Sequence, residues 1–252
     1  MSNSITAGVF GAVIGLVSTI VGILWSLQYY ALASLHQTAV TIQNMLYVFE
    51  ELTFFFGFFH NLQLNSAISG FLGVTAILAI LLLVTLILVG LGLYGIGKIE
   101  GKTMGTVGLV IGIIGAILIL LLLILGVTAG GTVHTLTSIW VLGNLGWVIH
   151  MPLNPGKIMF LVLMSGVPSV STSLLWLGLL VLGITVIIFG ATFILMRETL
   201  SSPGLAVAAG VLYIISGIFL FAGVLVPWLA FIILFVSFIM SALIFFQARE
   251  QA

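Results

Sequence analysis

Four histidines and one pair of adjacent glutamates are the residues of this 252-residue chain whose chemistry could make a site. Imidazole is a usual ligand of haem and copper, so two of His36, His60, His134 and His150 on facing helices could hold one b-type haem. Their spacing gives this little support. The chain has no His-x-His and no His-Glu-x-x-His, and all four histidines fall in the two stretches between the long apolar runs. A relay across a membrane needs histidines at two depths. The plainer reading is therefore a structural role, and the chain is expected to hold no cofactor, with b-type haem as the alternative.

Glu50 and Glu51 are the second candidate. A carboxylate facing a protein cavity in a membrane could bind a cation or relay a proton. An adjacent acidic pair also suits the wet edge of an interfacial helix, which is the simpler expectation. Glu100 beside Lys98 and Lys102, and Arg197 beside Glu198, read as solvated loop pairs of small energetic value.

The missing residues narrow the function classes. The chain has no cysteine and no aspartate, which excludes disulfides, thiolate metal sites and iron–sulfur ligation by its own residues. Lys+Arg and Asp+Glu balance at five each, so nothing points to nucleic acid. No Walker motif, Gly-x-Ser-x-Gly or His-Glu-x-x-His is present, so the expectation is that the chain is not an enzyme. No Asp, Glu, Lys or Arg lies inside any apolar run, whereas coupled transporters generally need one. No motif ties the chain to a known family.

The elements that position these residues follow from composition. The chain is 62% hydrophobic and 4% charged, far below the roughly 25% charge of a soluble domain, so lipid must be its solvent. The fold class is all-α: a polytopic transmembrane bundle of about six spans in one integral domain. The spans are read at about 5–33, 67–97, 103–128, 172–196, 205–226 and 228–246. The N-terminal run lacks a basic n-region and is too long for a signal peptide, so it reads as a retained first span.

Two segments outside the spans are expected to be interfacial. Residues 34–66 repeat at helical spacing, with Leu35, Ala39, Ile42 and Leu46 on one side and Gln37, Thr41 and Asn44 on another, which predicts an amphipathic helix. Residues 130–171 hold His134, Trp140, Trp147, His150 and three prolines. Their apolar piece 158–166 is too short to span.

Glycines mark the packing faces. Gly8, Gly15 and Gly22 recur every seventh residue, and Gly101, Gly105, Gly108, Gly112 and Gly115 step by four and three. Small residues on one stripe let neighbouring backbones approach closely. Setting Glu100 on Glu198 also sets Thr103 on Ser201 and Gly112 on Gly210, a weak internal repeat that fits the two hairpins alone.

Six spans put Lys98, Lys102, Arg197 and Arg249 on one side and Lys157 on the other, which makes both termini cytoplasmic in a cell membrane. Trp25, Trp140, Trp147, Trp176 and Trp228 then fall at the outer face. The expected function is a non-catalytic integral subunit that anchors or scaffolds a larger membrane complex, for example a respiratory one. A small channel or carrier is the alternative, and a b-type haem subunit the next. Expected partners are membrane lipid and either other subunits or copies of the chain itself.

Overall fold

A computed structural model of the chain describes residues 2–46, 50–99, 101–147, 177–200, 202–221 and 227–251, with side chains placed over 3–28, 73–99, 101–125, 177–198, 200, 202–221 and 227–251. Among the described residues there are six long helices: α1 (Ser2–Leu46), α2 (Glu50–Ile99), α3 (Met104–Trp147), α4 (Leu177–Leu195), α5 (Pro203–Phe221) and α6 (Pro227–Glu250). A single 3-10 turn, Arg197–Thr199, follows α4. Each of the six contains a stretch long and apolar enough to cross a bilayer: Asn3–Gln28, Gly73–Ile99, Met104–Leu125, Leu177–Leu195, Pro203–Phe221 and Pro227–Glu250. The chain is a multi-pass helical membrane protein. In lipid a helix satisfies its own backbone hydrogen bonds, and 30 glycines spread through the chain do not prevent this.

Three of the helices are much longer than a membrane is thick. α1, α2 and α3 have 45, 50 and 44 residues. At about 1.5 Å per residue they extend to roughly 66–75 Å, against a hydrocarbon core of about 30 Å. Residues 34–46 continue α1, and residues 50–66 belong to α2. No proline lies between Ser2 and Glu50 to stop the helix, and each added residue gains a backbone bond at little cost once a helix is nucleated. α3 likewise runs through Gly130 and Gly131 to Trp147, past the expected end near residue 128. A glycine costs about 1 kcal/mol in a helix, which is not enough to break a long one, and the first proline comes only at Pro152. The short apolar piece 158–166 lies outside the described residues.

The spans pack as a closed ring. α1 packs on α2, α2 on α3, α5 on α6, and α6 on α1. α3 meets α4 through Gly112 against Phe189 and Gly115 against Thr185. α4 meets α5 through Gly183 against Gly217 and Gly190 against Gly210. Neighbours alternate in direction, so the α2–α3 and α4–α5 turns share one end of the bundle. Two backbone devices form these turns. Gly101 has φ of +68°, and the Lys102 N–H donates to the Gly97 carbonyl at 2.9 Å, a helix stop of the Schellman type. In the α4–α5 turn Pro203 opens α5, where its missing N–H costs nothing.

Candidate functional site

The centre of the ring is filled with aromatic side chains. Tyr213 of α5 stacks on Phe193 of α4 with ring centroids 5.7 Å apart and planes 2° apart. Phe238 of α6 meets Tyr213 edge-on at 5.6 Å, and Phe245 meets Phe193 at 5.9 Å. Edge-on and stacked pairs at these separations are the favoured arrangements of ring quadrupoles. Leu86, Val89 and Leu93 of α2 and Phe189 of α4 complete the core.

The Tyr213 hydroxyl is fully buried in this cluster. Ser241 Oγ lies 2.9 Å from Tyr213 Oη and 2.9 Å from the Ser237 carbonyl. Two hydroxyl hydrogens serve two bonds, so the arrangement that uses both has Tyr213 donating to Ser241 and Ser241 donating to the Ser237 carbonyl. Other buried hydroxyls turn back on their own helices. Thr85, Thr185 and Thr192 donate to the carbonyls of Leu81, Val181 and Ile188. Ser18 and Ser26 do the same to Gly15 and Gly22. At the opposite end from the charged turns, the Trp25 indole N–H donates to Thr75 Oγ1 at 2.9 Å.

The seven-residue glycine stripe of α1 receives a seven-residue phenylalanine stripe of α6. A Cβ on Gly8 would lie 2.9 Å from Phe245 Cδ1. One on Gly15 would lie 2.7 Å from Phe238 Cδ1, and one on Gly22 2.5 Å from Phe231 Cδ1. The order runs oppositely on the two helices, so α1 and α6 are antiparallel. Each ring occupies the space that any larger residue on α1 would need. Phe245 also reaches Gly92 of α2, and Gly8 faces the Gly92 Cα, where a Cβ would come within 2.7 Å. Three spans thus converge on one glycine pair.

The other glycines seat backbone on backbone. A Cβ on Gly105 would meet the Leu93 carbonyl at 2.5 Å, one on Gly112 the Leu86 carbonyl at 2.5 Å, and one on Gly108 the Leu93 side chain. In lipid no hydrophobic drive acts between helices, so close contact and carbonyl approach supply the attraction. Gly101 is separate from this seam: nothing lies within 4 Å of a Cβ there, and its role is the positive φ of the turn. Gly92 packs on Gly8 of α1, whereas Gly190, which the internal repeat sets against it, packs on Gly210 of α5. The two hairpins thus do not share contacts at that offset.

The residues read as chemical candidates lie away from this core. His36, His60 and His134 fall on α1, α2 and α3, outside the apolar runs read at 5–33, 67–97 and 103–128. His150 lies outside the described residues, as do the side chains of the other three. Glu50 and Glu51 lie on α2, and their side chains are outside the described residues. Among the described residues no three His, Asp or Glu side chains gather where a metal ion could sit.

Sequence reasoning missed three things here. The partners of the α1 glycines were one, although Phe231, Phe238 and Phe245 recur every seventh residue and could have been matched to them. The pairs Gly183/Gly190 and Gly210/Gly217 carry the same spacing. The Tyr213–Ser241 bond had no signal, because nothing in a sequence shows which faces of α5 and α6 meet. No family model matches this chain, and no curated protein or solved structure does either.

Proposed function

We propose that this protein is a non-catalytic integral subunit that anchors or scaffolds a larger assembly in the cell membrane, with both termini cytoplasmic. The observation that carries this is the continuation of α1, α2 and α3 beyond their apolar spans. Past the apolar runs read at 5–33, 67–97 and 103–128, residues 34–46, 50–66 and 129–147 continue the same helices for about 20–29 Å at 1.5 Å per residue. In all three stretches the only charged residues are Glu50 and Glu51. Water-facing helices carry charge, so helices this bare need an apolar cover, and a partner protein above the membrane supplies one.

The packed aromatic centre supports the same reading. Tyr213, Phe193, Phe238 and Phe245 occupy the middle of the ring where a conducting path would run. The glycine contacts favour one fixed arrangement of spans, which suits an anchor. Purification from native membranes in mild detergent tests the proposal. Stoichiometric co-purification of other chains supports it, and recovery of an isolated monomer defeats it.

A further inference from the structure

We infer that the α2–α3 turn is a binding site for the phosphate of an anionic membrane phospholipid, held by Lys98 and Lys102. The contacts that set the register of the spans also set the depth of the charges. Gly8 on Gly92 and Ile5 on Gly95 fix α1 against α2, and Gly8 on Phe245 fixes α1 against α6. These contacts bring Lys98 and Arg249 to one level. Following the Gly112–Phe189 contact the same distance along each helix brings Met104 level with Arg197. The described cations Lys98, Lys102, Arg197 and Arg249 therefore share one layer at the end of the apolar spans, the depth of lipid headgroups.

Within that layer the α2–α3 turn differs from the rest. Arg197 and Arg249 each adjoin an acid, Glu198 and Glu250, whereas two lysines flank the single Glu100. Lys98 is exposed and its ammonium lies 5.9 Å from the Tyr94 ring centroid, which holds it at the edge of the bundle. Lys102 is half-buried. The two lysines outnumber the single Glu100 between them, so the turn carries a net positive charge that an anion can meet. The turn itself is fixed by Gly101 and the Lys102 N–H to Gly97 bond, so the two lysines are positioned before any ligand arrives. At this depth the available anion is a lipid phosphate. A zwitterionic headgroup would bring its own cation toward two lysines, so a net-negative headgroup is the better fit.

The test uses the full chain, purified in detergent and stripped of lipid. Phosphatidylglycerol is expected to raise Tm by about 5 °C or more at saturation, with phosphatidylcholine giving a clearly smaller shift. K98Q/K102Q should lose at least half of the phosphatidylglycerol shift, while Lys157→Gln should keep it. Native mass spectrometry of wild-type protein gives a readout that needs no variant: it should retain phosphatidylglycerol preferentially from an equimolar mixture with phosphatidylcholine. The inference is overturned if the double variant keeps the whole shift, if the two lipids are retained equally, or if inorganic phosphate alone reproduces the effect, which would mean a soluble phosphate site.

Discussion

Gly15 and Phe238 offer the cleanest perturbation of the α1–α6 seam. The three atoms nearest to a Cβ on Gly15 all belong to the Phe238 ring, at 2.7, 2.7 and 2.8 Å. Gly15→Ala must therefore displace that ring, which is itself locked edge-on against Tyr213. Overpacking of this kind costs about 1–3 kcal/mol, and the better helix propensity of alanine returns about 0.5–1 kcal/mol, leaving a net loss of roughly 1–2 kcal/mol. Phe238→Ala removes the ring. Lipid is as apolar as the bundle interior, so only the packing and cavity part of the usual cost applies, roughly 2–3 kcal/mol. In the double variant the clash has no ring to meet, and the new methyl fills part of the cavity. The double should therefore be less destabilised than the sum of the singles by about 1–2 kcal/mol. Unfolding of the four proteins in mixed detergent, followed by far-UV circular dichroism, measures this. Gly73→Ala is the control, because nothing lies within 4 Å of a Cβ there, and it should be neutral or slightly stabilising. Additive losses for Gly15→Ala and Phe238→Ala, or a loss at Gly73 equal to that at Gly15, would refute the reasoning.

Three further outcomes follow from the same structure. Tyr213→Phe and Ser241→Ala should each cost about 1 kcal/mol, with serine removal the worse because it strands a buried phenol, and the double variant should cost no more than Ser241→Ala, read by the same unfolding curves. Gly190→Ala should destabilise by about 1–3 kcal/mol, since its Cβ would lie 2.5 Å from the Gly210 carbonyl oxygen, which cannot rotate away; an unchanged midpoint would contradict the α4–α5 contact. Because the chain has no cysteine, single cysteines report topology directly: Lys102→Cys should react with an impermeant maleimide only from the cytoplasmic side and His134→Cys only from the other, and labelling of both from one side would undo the alternation of spans.

Much of this architecture is legible in the residues. The six spans follow from apolar runs bounded by Lys98–Lys102, by Arg197–Glu198 and by Pro227, because charge and proline interrupt a membrane helix in ways that no packing can hide. Gly8, Gly15 and Gly22 mark a packing face because no other residue allows such an approach. Which helix fills that face is a pairing question. Four apolar runs besides α6 could supply large residues, and only the matched spacing of Phe231, Phe238 and Phe245 separates them. The helix ends were less legible. Tyr29 and Tyr30, and later Gly130 and Gly131, resemble the usual end of a span, yet neither aromatic nor glycine removes a backbone bond. Continuation to Leu46 and Trp147 follows from the absence of proline, a weaker cue than the amphipathic pattern that suggested a separate helix. The Tyr213–Ser241 pair depends wholly on which faces of α5 and α6 meet.

The proposal of an anchoring subunit rests on helices that run past the apolar spans with Glu50 and Glu51 as their only charges there, and site-specific photocrosslinking in native membranes tests it most directly. A photoreactive residue at Ala39, Leu62 or Leu136, on the continuations of α1, α2 and α3, should capture protein of another chain in high yield. The same probe at Ile20 or Ile114, exposed on the spans, should capture mainly lipid. Lipid adducts at all five positions, or no adduct to another chain at the first three, would contradict the account.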